Sequence, residues 1–286
     1  MSDSRKANPK GKPVCVVIGA TSKWQSDGRM TNMLHGHNID ETIVPVGVRW
    51  GVGGAVAQKF AQEGFFTVVT TRTESNAAGL MGAIREQGGE GAIVELDLSS
   101  DESIANAFKT IRSEAGDPDV LIYNAGYLDG RELPEDKELL EYVPVRILDT
   151  AIDVAIRGPF LVAQEALPAM RKKGEGSFFF SNNSSSLRGR KRMTGQSLYY
   201  PRVMMRTLAQ VLTEEYSELG VHVANVIIDG TIDSPGTRAL PRNANRTDQI
   251  INPMKIAEAF WYLHTQDKTC WSHEIQLTPH PVKPSY

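Results

Sequence analysis

The stretch that decides the fold is Val14-Cys15-Val16-Val17-Ile18-Gly19-Ala20, resumed only at Trp50-Gly51-Val52-Gly53-Gly54 and Ala55-Val56-Ala57-Gln58-Lys59-Phe60-Ala61. Five apolar residues running into a glycine read as a strand buried on both faces. Residues 55–61 read as a helix, closed by Gly64, and Phe65-Phe66-Thr67-Val68-Val69-Thr70 is a second apolar strand. Strand, glycine turn, helix and strand in that order form the first half of a dinucleotide-binding unit. Glycine lets the backbone turn tightly and approach a pyrophosphate. Free N–H groups at the helix N-terminus then meet its charge. A lone Gly-x-Gly also marks ordinary tight turns, and here the flanking elements make the distinction. Residues 21–48 read as an insertion inside this loop, between Gly19 and Gly51.

A chain of 286 residues with 41% hydrophobic content suffices for one large α/β domain. Its net charge of −3 and interspersed signs give no nucleic-acid surface. Residues 1–12, with Arg5, Lys6, Lys10 and Lys12, read as a disordered, solvated lead-in. The chain has no run of about eighteen apolar residues and no signal-peptide core, so a cytoplasmic location and no membrane span are expected. Two cysteines make no disulfide framework, and Cys15 reads as a small buried hydrophobe. His35 and His37 could ligate a metal, but no third ligand cluster accompanies them, so no metal site is expected. Ile43, Val44, Val46 and Val48 around Pro45 suggest that the insertion returns by packing on the domain and covers the loop it interrupts.

Beyond the second strand, residues 77–87 read as a helix and 92–96 as a strand delivering Asp97. Ser99 and Glu102 have capping-box spacing for the next helix. Val120-Leu121-Ile122-Tyr123 is a strand ending in Asn124-Ala125-Gly126. A helical region follows over 145–172, bent at Pro159. Ser177-Phe178-Phe179-Phe180 runs into Ser181-Asn182-Asn183-Ser184-Ser185-Ser186. A helix from Pro201 precedes a sixth strand over 221–228. Strands alternating with helices predict a doubly wound parallel sheet of Rossmann type with helices on both faces, in a single domain. Ligands bind beyond the carboxyl ends of such strands, where Asp97, Asn124, Ser184 and Asp229 fall.

In motif order and spacing the chain resembles the short-chain dehydrogenase/reductase family over nearly its whole length. The resemblance is carried by the glycine turn, Asp97, Asn124-Ala125-Gly126, the serine-rich end of strand five, the helix over 202–215 and Asp229-Gly230-Thr231-Ile232-Asp233-Ser234-Pro235. It implies that Gly19, Gly51, Val52 and Gly53 cradle the pyrophosphate and that Asp97 and Leu98 border the adenine. Asn124, Ala125 and Gly126 would lie at the adenine ribose, while Gly230, Ile232 and Ser234 would lie at the nicotinamide. Asp97 could equally be a loop carboxylate, and Asn124 could also tie adjacent strands. The end of strand two, Thr70-Thr71-Arg72-Thr73, lacks the acid that holds a ribose 2′-hydroxyl. Arg72 suits a 2′-phosphate, helped by Thr71, Thr73 or Arg49, so NADP is expected in preference to NAD. The alternative is a solvated surface arginine.

The family's catalytic Asn, Ser, Tyr and Lys are altered here. Arg202 stands for the lysine, still cationic and able to bind the ribose and bias a tyrosine. Leu198 falls where the tyrosine belongs, and Tyr199 and Tyr200 follow it. Ser184 or Ser185 matches the serine, with Asn183 competing, and Ala155 occupies the asparagine position. The resemblance implies an NADP(H)-dependent oxidoreductase acting on a small carbonyl or alcohol as a homodimer or homotetramer. Ser184, Tyr199, Tyr200 and Arg202 are its candidate catalytic residues. The altered residues leave open a non-redox isomerase, lyase or cyclase, or a nucleotide-binding protein without catalysis. Arginines 131, 188, 190, 192, 238 and 242 could favour a polar or anionic substrate, or could simply pair with nearby acids.

Overall fold

The computed structural model describes residues 8, 11–21, 44–127, 139–189, 201–239, 243 and 247–285. In chain order these form β1 (Val14–Ile18), α1 (Gly51–Gln62), β2 (Phe66–Thr71), α2 (Ala78–Glu86), β3 (Glu90–Glu95), α3 (Asp101–Glu114) and β4 (Val120–Tyr123). There follow α4 (Val145–Ile152), α5 (Gly158–Lys173), β5 (Gly176–Asn183), α6 (Arg202–Tyr216) and β6 (Val221–Ile228). The last group is β7 (Thr231–Ile232), α7 (Pro235–Ala239), β8 (Ile250–Ile251), α8 (Pro253–His264) and β9 (Glu274–Leu277). Seven strands form one sheet in the order β3-β2-β1-β4-β5-β6-β9, with every neighbouring pair parallel.

Strand alternation divides the core into two layers. Val14, Val16 and Ile18 face α3, α5 and α6, where Ile104, Phe108, Val162, Leu167 and Met205 are buried. Cys15 and Val17 face α1, α2 and α8, against Val56, Phe60, Leu80 and Phe260. Both faces are covered, which is why β1 and β4 carry apolar side chains throughout, apart from the Tyr123 hydroxyl. Burial pushes the Cys15 thiol up, as expected of an inert core cysteine.

Four local readings need correction. The N-cap of α3 is Ser100, whose hydroxyl accepts from Ser103 N–H, rather than Ser99 with Glu102. Ser99 is occupied by Asp97, whose Oδ1 accepts from its N–H at 3.0 Å and its hydroxyl at 2.7 Å. The helical region over 145–172 is interrupted by a π turn, Asp153–Arg157, just before Pro159. There Gly158 N–H reaches back to the Asp153 carbonyl, and the Tyr123 hydroxyl donates to the Val154 carbonyl at 2.7 Å. Pro159 has no N–H to offer that turn, so a side chain from β4 fills the place. Strand five extends to Asn183, and α8 and β9 were not foreseen. β9 is a four-residue edge strand with alternating polarity, a signal too short to separate from a loop.

The segment leading into β9 covers a histidine whose burial has a measurable consequence. His222 is 2% exposed, stacks on Trp271 at 4.7 Å between ring centroids and donates from Nε2 to the Ser272 carbonyl. Burial, partly opposed by that hydrogen bond, lowers its pKa to about 4. The unfolded chain therefore binds the proton first, near the ordinary value of about 6.5. Stability is present above that pH and is lost as pH falls toward 4. His264, lowered chiefly by burial, acts with the same sign. His222 alone is expected to cost about 2 kcal/mol between pH 7 and pH 5. Thermal melts of wild type and His222→Gln across that window check this. Parallel curves for the two proteins would refute it.

Candidate functional site

The turn after β1 is held from three sides. Gly19 has φ +76°, and a Cβ on it would lie 2.6 Å from the Ala125 Cα. Its N–H donates to Thr70 Oγ1 at 3.1 Å, and its carbonyl accepts from Asn124 Nδ2 at 2.9 Å. Asn124 therefore does tie neighbouring strands. Across the turn lies the first turn of α1, entered through Gly51 at φ +64°. A Cβ on Gly53 would lie 2.5 Å from the Gly19 carbonyl oxygen and 2.7 Å from Asn124 Nδ2. The two halves of the glycine turn, separated in sequence, thus meet in space. Gly51, Val52 and Gly53 are buried. The N-cap Trp50 makes no side-chain capping bond, and the first turn of α1 has no acidic residue. Its amides are left for an anion, an arrangement that fits a pyrophosphate. Of the insertion, only residues 21 and 44–48 are described. Val44 and Val48 are buried, and Arg49 Nε donates to the Val44 carbonyl at 3.0 Å.

Arg72 is exposed at the end of β2. Its charge reaches Asp97, whose carboxyl is held below the usual range by the Ser99 amide and hydroxyl first and by Arg72 after them, with burial opposing. Arg72 makes no ion pair among the described residues. Leu98 is buried in the core.

Beyond β4 and β5 the dominant side chain is Arg202, at the start of α6 and 7% exposed. Nη2 donates to the Ala125 carbonyl and Nη1 to the Ser181 carbonyl, both at 3.2 Å. Nε has no partner among the described residues. Among the described residues Arg202 has no carboxylate partner; a buried cation so placed is costly, and bridging two strand ends offsets this. Gly126 lies alongside, where a Cβ would be 3.1 Å from Nη2. Arg202's field also reaches Tyr123, whose phenol is pushed well up by burial and pulled back by that charge. The base of α6 is fixed by Asn182, whose Nδ2 donates to the Arg202 carbonyl and to Asn225 Oδ1. Ala155 is buried in the π turn.

Ser184 opens a short 3-10 turn just past β5, capped by Asn183 Oδ1 accepting from Ser185 N–H. Its neighbour across the strand ends is Asp229. Further on, Ile232 pairs with Ile251 in the β7–β8 ribbon, and Ser234 caps α7 by accepting from Thr237 N–H. Arg238 is paired bidentately with Asp233, both contacts at 2.7 Å, so it is not a free anion ligand. Tyr199, Tyr200, His35, His37 and arginines 131, 190, 192 and 242 lie outside the described residues. Among the described residues no group of His, Cys, Asp and Glu is arranged for a metal, and no helix is long and apolar enough to cross a membrane.

The candidate residues from β1, β2, β4, β5 and β6 thus gather along one edge of the sheet, at the strands' carboxyl ends. The Tyr123 strut, the Thr70 hydroxyl and the Asp229 cluster belong to the same edge; the residues were named from sequence, but their contacts were not foreseen. Their signal is only a polar residue at a strand end, which many strands have.

Comparison with known proteins agrees with this geometry. Residues 41–245 match the family model described as short chain dehydrogenase. An uncharacterized oxidoreductase, YxbG of Bacillus subtilis (strain 168), is 31% identical over 197 residues, covering 68% of each chain. An uncharacterized oxidoreductase of Staphylococcus aureus (strain USA300) is 27% identical over 242 residues, 84% of this chain and 97% of its own. Among solved structures, a metagenomic short-chain oxidoreductase in complex with NADP superposes with a TM-score of 0.68 at 22% identity, covering 96% of this chain and 99% of that one. An alcohol dehydrogenase from the archaeon Thermococcus sibiricus, complexed with 5-hydroxy-NADP, gives 0.69 at 20% identity with the same coverage.

Proposed function

The chain belongs to the short-chain dehydrogenase family, and on that footing we propose that it is an NADP(H)-dependent oxidoreductase interconverting a small-molecule carbonyl and alcohol. The observation that carries the NADP preference is Arg72, an exposed guanidinium at the end of β2 where no acid stands. Two of the similar solved structures hold NADP or a derivative of it, which supports the same reading. When bound, the nicotinamide supplies or accepts the hydride. Gly19, Gly51, Val52 and Gly53 hold the pyrophosphate, and Asp97, Leu98 and residues 124–126 flank the adenosine. Gly230, Ile232 and Ser234 line the nicotinamide end. Ser184 orients the substrate oxygen, and Tyr199 or Tyr200 exchanges its proton. Arg202 serves as a fixed positive charge, since a guanidinium releases no proton near neutral pH.

A charge-assisted contact to a phosphate contributes about 1.5–3 kcal/mol, roughly tenfold to a hundredfold in affinity. NADPH should therefore bind more tightly than NADH, and Arg72→Ala should erase most of the difference. Titrations of both cofactors against both proteins test this. Equal affinities in wild type would defeat the NADP assignment. A second reading, a non-redox enzyme or a cofactor-binding protein without catalysis, is favoured by Ala155 in the π turn and by Arg202's use of two donors as struts. NADPH oxidation over a panel of carbonyls separates the two.

The same reading includes self-association. Of the apolar residues on α6, Met205 and Leu212 are buried in the chain's own core, whereas Met204 is 52% exposed. Met204, Leu208 and Val211 line an open apolar groove with Ile156 and Phe160 of the π turn and α5. A second copy covering this groove would remove it from water. Light scattering should give a multiple of 31.5 kDa, reduced by Phe160→Glu with Met204→Glu. A wild-type monomer at micromolar concentration would refute it.

A further inference from the structure

Asp229 follows β6 as a buried carboxylate, 5% exposed. Its N–H donates to the Leu277 carbonyl at 2.9 Å. One of its oxygens, Oδ2, accepts from three groups of the C-terminal segment: Gln276 Nε2 at 2.8 Å, Thr278 Oγ1 at 3.4 Å and Ser285 N–H at 2.6 Å. On the other side, the β5–β6 register pairs Asn183 with Ile228, so Ser184 and Asp229 are the next residues out on adjacent strands. The Ser184 hydroxyl helps to lower the pKa of the same carboxyl. Burial pushes this carboxyl up, but Ser285, Ser184 and Gln276 together outweigh it and hold it below the usual carboxylate range.

A buried carboxylate is costly unless its lone pairs are filled. Here the C-terminal segment supplies most of the filling, so the segment and the carboxylate hold each other. The next residue, Gly230, is exposed, but the same segment lies against it: a Cβ there would lie 3.0 Å from Pro279 Cδ, and 2.9 Å from Ile251 Cδ1 of β8. Residues 276–285 therefore back the start of the 230–234 loop. A proline would stiffen this bend by fixing φ, whereas Asp229 stiffens it by hydrogen bonds to a distant piece of chain.

We propose that Asp229 is a positioning residue that clamps the C-terminal segment to the 230–234 loop, fixing the nicotinamide end of the cofactor. The proposal rests on reading that loop as the nicotinamide loop. The clamp is local, so it acts on one end of the cofactor and leaves the adenosine end to the glycine turn and β2.

Two ligands separate these ends: NADPH, and 2′-phospho-ADP-ribose, which has the same adenosine and pyrophosphate groups but no nicotinamide. Both are titrated against wild type, Asp229→Asn and Ser285→Pro, the last removing one donor while leaving the carboxylate in place. Asp229→Asn is expected to weaken NADPH about tenfold and Ser285→Pro about threefold. Binding of 2′-phospho-ADP-ribose should stay within about twofold in both. Equal losses for the two ligands would mean general damage to the fold and would overturn the proposal, as would no loss for NADPH. If Asp229→Asn does not fold, Ser285→Pro decides alone by the same criterion. A wild type that binds 2′-phospho-ADP-ribose as tightly as NADPH overturns the clamp while leaving the phosphate-site reading intact. One that binds neither overturns the cofactor reading and this proposal together.

Discussion

Gly53→Ala is expected to weaken NADPH binding by more than about a hundredfold, the loss of two or more charge-assisted phosphate contacts together. The reason is contact geometry. The new Cβ would sit 2.5 Å from the Gly19 carbonyl oxygen, 2.7 Å from Asn124 Nδ2 and 2.9 Å from the Ala20 Cα. Two of these are backbone atoms of the phosphate turn, which cannot swing away as a long side chain would. Relief must come from moving α1 off the β1 turn or from turning Asn124 out of its bond to Gly19. Either shift misaligns the amides proposed to hold the pyrophosphate, and overpacking of this kind costs about 1–3 kcal/mol of stability. Gly82→Ala is the matched control. It lies inside α2 with nothing within 4 Å of its new methyl group, so it should gain about 0.5–1 kcal/mol and leave cofactor binding alone. Calorimetric melts with NADPH titrations would report both quantities. A Gly53→Ala protein that melts and binds like wild type would show that the turn does not close on the phosphates.

The same turn shows what the amino-acid sequence made legible. A parallel strand covered on both faces is mostly apolar, so β1 and β4 stand out as unbroken runs, and β2 and β6 as runs interrupted by buried polar residues. Glycine is needed where two backbones touch, so Gly19 and Gly53 could be paired across the insertion before their contact was seen. The family model, by contrast, begins matching only at residue 41, past β1 and most of the insertion. Features that depend on one long-range partner were not legible. The four residues of β9 become a strand only because β6 presents an open edge. Ser100 rather than Ser99 caps α3 because Asp97 occupies Ser99. Asp229 was visible as a polar residue past a strand, but its partners come from 276–285, and nothing in local spacing points there. Arg202 was identified by its place in the helix. Its two carbonyl contacts were not foreseeable, since they require the ends of β4 and β5 side by side. They also narrow its role, because a guanidinium engaged with Ala125 and Ser181 is a strut before it is a cofactor ligand.

That narrowing bears on the proton. Reduction of a carbonyl by hydride leaves an alkoxide, so a group near the nicotinamide must release a proton, and the reverse reaction needs one to be taken up. Leu198 has no proton to give and Arg202 holds its own. Tyr123 is unsuitable, because its hydroxyl is fully buried and donates to the Val154 carbonyl while burial drives its pKa far up. Tyr199 stands three residues before Arg202 in the sequence, at the place nearest the family's tyrosine position, with Tyr200 one residue further on. Losing a positioned general acid costs about 10²–10⁴ in rate. Tyr199→Phe is therefore expected to lower turnover by that order while NADPH affinity stays nearly constant, and Tyr200→Phe should do far less. Steady-state kinetics on the best carbonyl of the panel, with cofactor titrations alongside, give both numbers. The reverse ranking would move the proton to Tyr200. Full activity in both variants would remove the tyrosines from the chemistry and turn the balance toward a protein that binds the cofactor without transferring hydride.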